Sequence, residues 1–145
     1  MIHYYSENIP LPKLPKRVLT VWIKKITAQH KRVVGNVAYI FCDDARILEI
    51  NRQYLQHDYF TDIITFEDND GILIGGDIFI SLDTVKTNAD EYNVSFQNEL
   101  YRVIIHGILH LCGQDDQTPE DQASMTQLEN EALKILDEKQ TALID

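Results

Sequence analysis

Residues 103–116 read Val103-Ile104-Ile105-His106-Gly107-Ile108-Leu109-His110-Leu111-Cys112-Gly113-Gln114-Asp115-Asp116. Up to Leu111 the run is apolar around most of a helical circumference. A helix of that kind belongs in the middle of a domain, with other elements packed round it, rather than on the surface. Ser95 opens it as a side-chain cap, and Gly113 closes it by the C-terminal glycine rule. Two imidazoles interrupt the apolar pattern four residues apart. At about 100° and 1.5 Å per residue, His106 and His110 lie on one face, one turn apart.

The remaining elements are short and mixed. Residues 2–5 predict a first strand; after Pro10, Pro12 and Pro15, the segment 16–29 carries Val18, Leu19, Trp22, Ile23 and Ile26 at helical spacing. Residues 36–42 predict a buried strand, and Asp43-Asp44 cap a helix over 44–55 with Ile47, Leu48, Ile50 and Tyr54 apolar. Residues 62–67 and 72–80 are rich in β-branched and aromatic residues and flank the turn signal Asp68-Asn69-Asp70-Gly71, which predicts an antiparallel hairpin. Ser81 caps a helix over 82–92. Thr118-Pro119-Glu120-Asp121 supplies cap, first-turn proline and first-turn acids for a last helix to about 138, whose Met125, Leu128, Ala132 and Leu136 form a packing stripe. The order βαβαββααα predicts an α+β fold: a small four-stranded sheet with helices around it and the apolar imidazole-bearing helix at the centre.

At 145 residues, the chain matches one domain spanning 1–145. With 44% hydrophobic and 25% charged residues it has ordinary globular composition, and no stretch reaches the roughly 18 apolar residues of a membrane span. The start, Met-Ile-His-Tyr-Tyr-Ser-Glu-Asn, lacks the layout of a secretory signal, and two cysteines, Cys42 and Cys112, do not make a disulfide framework. Both point to a cytoplasmic address. A net charge of −10 argues against a simple nucleic-acid clamp. The charge is unevenly spread, however: residues 1–40 hold seven basic residues and one acid, and the rest hold six and twenty-two.

The chemistry concentrates at the end of the central helix. Beyond Gly113 the chain can leave the helix with positive φ and return a carboxylate towards the two imidazoles. Asp116 gives the spacing His-x3-His-x5-ligand of a metzincin-like site, with Asp115 as the alternative. Two imidazoles and one carboxylate are the ligand set of catalytic zinc, which keeps a position open for water. The set predicts one Zn2+ per chain on His106, His110 and Asp116, used for hydrolysis. A His-Glu-x-x-His metalloprotease has the same ligand geometry, but Gly107 stands where that motif has its general base. Cys112, about 200° round the helix from His110, points to the core.

The stretch H-G-I-L-H-L-C-G-Q-D-D resembles the YbeY hallmark H-G-x-L-H-L-x-G-Y-D-H. The likeness continues through Asn51–Phe66, Gly76-Asp77-Ile78 and Glu99, over roughly residues 35–135. This resemblance implies a bacterial cytoplasmic α+β endoribonuclease that uses zinc to cut single-stranded RNA in ribosomal RNA maturation and ribosome quality control. His106 and His110 match the first two ligands. The departures are Asp116 for the usual third His, Leu55 for an Arg that handles phosphate, Phe60 for Pro and Gln114 for Tyr. With Leu55 unable to bind phosphate, Arg52, His57 and the basic first helix are the remaining candidates. Thr61 and Asp62 read as a turn and strand start. A non-catalytic, metal-containing RNA- or ribosome-binding factor is the alternative those departures leave open.

Overall fold

The computed structural model describes residues 1–55 and 61–144, with side chains to Glu138. Its elements are β1 (Ile2–Ser6), α1 (Lys16–Gln29), β2 (Val33–Cys42), α2 (Asp44–Ile50), β3 (Ile63–Glu67), β4 (Leu73–Ser81), α3 (Leu82–Tyr92), α4 (Phe96–Leu111) and α5 (Pro119–Ile144). They make the expected α+β arrangement around one four-stranded sheet of order β1-β2-β4-β3. β3 and β4 form the antiparallel hairpin, while β1–β2 and β2–β4 run parallel, the first pair joined through α1 and the second through α2 and β3.

Capping side chains set the helix starts. Asp43 accepts from the Arg46 N–H at 2.9 Å, Ser81 from Thr84 at 3.4 Å and Ser95 from Asn98 at 3.0 Å. One boundary departs from expectation. The α-helix from Asp44 ends at Ile50, and Asn51–Leu55 continue as a π-helical turn. Asn51, at the start of that turn, is buried, a tertiary placement that local periodicity does not carry.

Alternation along the strands divides the sheet faces. Val37, Tyr39, Phe41, Ile74, Ile78 and Ile80 join α1, α4 and α5 in the main core, and Cys42, Ile64, Phe66 and Phe79 pack under α2 with Ile47 and Ile50. In α4, Ile104, Ile105, Ile108 and Leu109 are fully buried, each contributing about 1.5–3 kcal/mol relative to exposure. Gly107 faces the sheet, and a Cβ there would meet Ile78 and Ile63 side-chain carbons at 3.0–3.1 Å. The helix therefore packs so closely on the strands at this residue that a larger side chain would have to push the two isoleucines aside.

Two side-chain bonds hold α4 in place. Tyr39 donates its hydroxyl to the Ile104 carbonyl at 2.9 Å, and Asn69 donates from the β3–β4 turn to the Leu111 carbonyl at 2.9 Å. Trp22 donates to Ala132 at 2.7 Å, fixing α1 to α5 beside it. Cys112 packs on the main core, as its angular position predicts, and burial pushes its thiol up to about 11. No helix among the described residues is long and apolar enough to cross a membrane.

Candidate functional site

α4 ends in a Schellman turn. The Gly113 N–H bonds to the His110 carbonyl at 2.9 Å and the Gln114 N–H to the Leu109 carbonyl at 3.0 Å, with Gly113 at φ +101°. The reversal carries the chain back across the helix face. It sets the Asp116 Oδ2 atom 3.4 Å from Nε2 of His106 and 3.3 Å from Nε2 of His110. The imidazole rings stand 4.5 Å apart between centroids and nearly perpendicular, at 83°.

This spacing fits a metal better than it fits a hydrogen-bond network. Contacts of 3.3–3.4 Å are long for a charge-assisted bond, which closes to about 2.7–2.9 Å. They match the edge of a tetrahedron with zinc–ligand bonds of about 2.0–2.1 Å, roughly 3.3 Å. One ligand atom from each of His106, His110 and Asp116 lies within 4.8 Å of the others. Asp115 is exposed and lies outside that trio, although it lines the same hollow.

Behind His106 stands a residue that sequence reading passed over. Glu129 on α5 is 7% exposed, and its Oε2 lies 2.6 Å from His106 Nδ1; its Oε1 accepts from Arg102 at 2.9 Å. Arg102 also donates to Asn130 at 2.7 Å. A carboxylate on Nδ1 places the proton there and leaves Nε2 free for an ion, the usual support of a metal-bound imidazole. Burial disfavours the imidazolium, but the bond to Glu129 and the charges of Glu129, Asp62 and Asp116 outweigh it, so the His106 pKa is raised. A signal for Glu129 was present: between Met125 and Ala132, it is an acid on the buried stripe of α5.

The trio opens into a hollow of about 520 Å³ whose far wall includes Asn51, Leu55, Thr61 and Asp62. Asp62 caps the entry to β3, its carbonyl accepting from the Ser81 N–H at 2.9 Å, and its carboxyl faces the site. Burial raises the pKa of that carboxyl, with His106 partly offsetting the rise. Thr61 and Asp62 therefore start the strand as expected and also form wall of the site. Leu55 lines the hollow as an exposed apolar residue, and among the described residues no lysine or arginine lines it. Arg52 is exposed on the π-helical turn, outside the lining, and His57 lies outside the described residues. Lys16 and Arg17 of α1 line a different hollow, along β1. Gly107, at the general-base position of a His-Glu-x-x-His motif, faces the sheet side chains of Ile63 and Ile78 and offers no carboxylate to the site.

Comparison with known proteins agrees with this geometry. The profile of the family described as Endoribonuclease YbeY matches residues 4–137. Proteins of that name are similar over nearly the whole chain. The Parabacteroides distasonis protein is 52% identical over 95% of this chain and 97% of its own. The Bacteroides fragilis protein is 53% identical over 92% and 96%, and the Porphyromonas gingivalis protein 45% identical over 94% and 91%. A Thermotoga maritima protein solved in solution superposes with a TM-score of 0.68 at 26% identity, covering 98% of this chain and 93% of that one.

Proposed function

Since the chain belongs to the endoribonuclease YbeY family, we propose that it is a zinc-dependent endoribonuclease that cuts single-stranded RNA, acting in the cytoplasm on ribosomal RNA during its maturation and in ribosome quality control. The observation that carries this reading is the trio His106, His110 and Asp116, with the carboxylate 3.3–3.4 Å from both imidazoles, backed by Glu129 and opening into a hollow. Two imidazoles and a carboxylate converging within 4.8 Å favour zinc over magnesium or calcium, which prefer all-oxygen sites. Bound there, the ion would supply Lewis acidity towards a phosphodiester and an acidified water near neutral pH.

The protein's own groups do the rest. Glu129 holds the His106 tautomer and ring orientation, and Arg102 holds Glu129. Asp62 and Asp115 both line the hollow, and to them is assigned the transfer of a proton between solvent and the reacting oxygens. Arg52 and His57 are assigned to the RNA backbone, where positive charge must meet phosphate because Leu55 cannot.

Zinc analysis of the purified protein, alongside cleavage of a single-stranded RNA with and without chelator, tests the proposal. Metal-dependent internal cuts with zinc near one per chain are expected. A zinc-loaded protein that binds such RNA without cutting it would instead establish the second reading, a metal-containing RNA- or ribosome-binding factor. That reading is favoured by one observation, the apolar Leu55 in the wall of the hollow.

A further inference from the structure

On the other side of His106 lies a second hollow, of about 420 Å³, which shares the Asp62–His106 wall with the metal hollow. Glu99 lines it. This residue stands seven positions before His106 on α4, hence on the same face, about two turns away. It is only 3% exposed, and its carboxylate accepts no hydrogen bond among the described residues. The carboxylate oxygens open onto the hollow rather than into the core, so they are set to accept from a partner that brings N–H groups into it. The other polar groups there are complementary to it. Arg102 is held in place by Glu129 and Asn130. The Asn130 carbonyl accepts from Arg102, leaving its amide N–H groups to donate. Tyr92, 61% exposed, offers an aromatic face at the rim.

We infer that this hollow is the pocket for a base adjacent to the scissile phosphate, and that it selects guanine through Glu99. Guanine presents N1–H and N2–H side by side, which a carboxylate takes as two parallel hydrogen bonds, while its O6 accepts from Asn130 or Arg102. Adenine and cytosine pair each amino group with a ring nitrogen acceptor that a carboxylate repels. Uracil offers one N–H between two carbonyls. Tyr92 supplies stacking that any base accepts. The shared wall lets one nucleotide place its phosphate on the metal side of His106 and its base on the Glu99 side. This inference rests on the endoribonuclease reading for its RNA, but the pocket can be tested without cleavage.

The test uses the full-length, zinc-loaded protein and measures binding of GMP, AMP, CMP and UMP by calorimetry, with wild type, Glu99→Gln and Thr126→Trp. Wild type is expected to bind GMP about tenfold more tightly than the others, and Glu99→Gln to lose that advantage with its zinc content unchanged, because the amide matches only one of the two N–H groups. Thr126→Trp fills the mouth from an exposed position on α5 and weakens GMP binding without touching the buried residue. Equal affinities for the four nucleotides in wild type, a guanine preference that survives in Glu99→Gln, or undiminished GMP binding in Thr126→Trp would each overturn the pocket. A cleavage map of mixed-sequence RNA separates the two claims. Cuts without base preference remove the pocket and leave the nuclease. Guanine-selective binding with no cuts supports the pocket and removes the nuclease.

Discussion

The two walls of the metal hollow are built to different standards. On the α4–α5 side the groups behind His106 form a chain of short, directed bonds: His106 to Glu129 at 2.6 Å, Glu129 to Arg102 at 2.9 Å and Arg102 to Asn130 at 2.7 Å. On the opposite side, Thr61 reaches Asp62 and the Ile63 carbonyl only at 3.5 Å, Asn88 reaches Asp62 only at 3.5 Å, and Leu55 offers no polar atom. Ligand-holding geometry is fixed within the fold, where buried bonds are strong and specific. The substrate-facing wall is left to be completed by what binds. Metal affinity should therefore answer sharply to changes on the first side, and turnover to changes on the second.

The largest effect is expected at the imidazoles. His106→Ala or His110→Ala leaves two ligands and should abolish stoichiometric zinc, read by metal analysis after gel filtration. Retention of tightly bound zinc by both variants would remove the centre altogether. Next, Asp116→Ala should weaken zinc by more than the roughly 100-fold that marks changes outside the ligand sphere, while Asp115→Ala leaves affinity nearly unchanged. The opposite order, measured by chelator competition, would shift the third ligand to Asp115.

A smaller but still sharp effect belongs to Glu129→Gln. The amide oxygen can still accept from Nδ1, but the charge that supports His106 and pairs with Arg102 is gone. A loss of about 10–100-fold in zinc affinity is expected, with the fold retained because the substitution is isosteric. Wild-type affinity in this variant would make the wall's order irrelevant to the metal and level the contrast between the two sides.

The same contrast marks what the sequence could disclose. Helices α1, α3 and α4 and the β3–β4 hairpin follow from local signals: apolar period, capping side chains and the Asp68–Gly71 turn. The Gly113 reversal and the return of Asp116 were legible because one helix and one turn contain them. The parallel pairing of β1 with β2 and β2 with β4 was not, since those partners lie more than thirty residues apart and no local pattern encodes register. Nor was the break of the 44–55 helix into a π-helical turn, which begins at the buried Asn51 and has no mark in the apolar period. Glu129 escaped for a related reason. A single acid on an apolar stripe gains meaning only once α5 is laid against α4, and Asp62 reads as a plain strand start until β3 is set beside His106.

The smallest expected change is a gain, on the less ordered wall. Leu55 lines the hollow 40% exposed, so Leu55→Arg removes little packing and introduces a guanidinium where the described lining holds no lysine or arginine. A charge-assisted bond to a phosphoryl oxygen is worth about 1.5–3 kcal/mol, which caps the benefit at roughly 10–150-fold in kcat/KM. Two opposing factors pull the value down. Asp62 and Asp115 line the same hollow and compete for the new cation, and a long side chain at an exposed position loses rotamer freedom when it docks. The expected result is therefore about a tenfold rise in kcat/KM on single-stranded RNA, at unchanged zinc content. A steeper fall of activity with salt should accompany it, because one more phosphate is neutralised. Leu55→Lys should give less, since an ammonium cannot fork two phosphoryl oxygens, and Leu55→Gln should give nothing. If the arginine variant holds its zinc, shows the steeper salt dependence and yet cuts no faster, the added charge acts on binding alone. Turnover would then be limited by the ligand set, and the Asp116 carboxylate, one negative charge more than an imidazole, becomes the group to change.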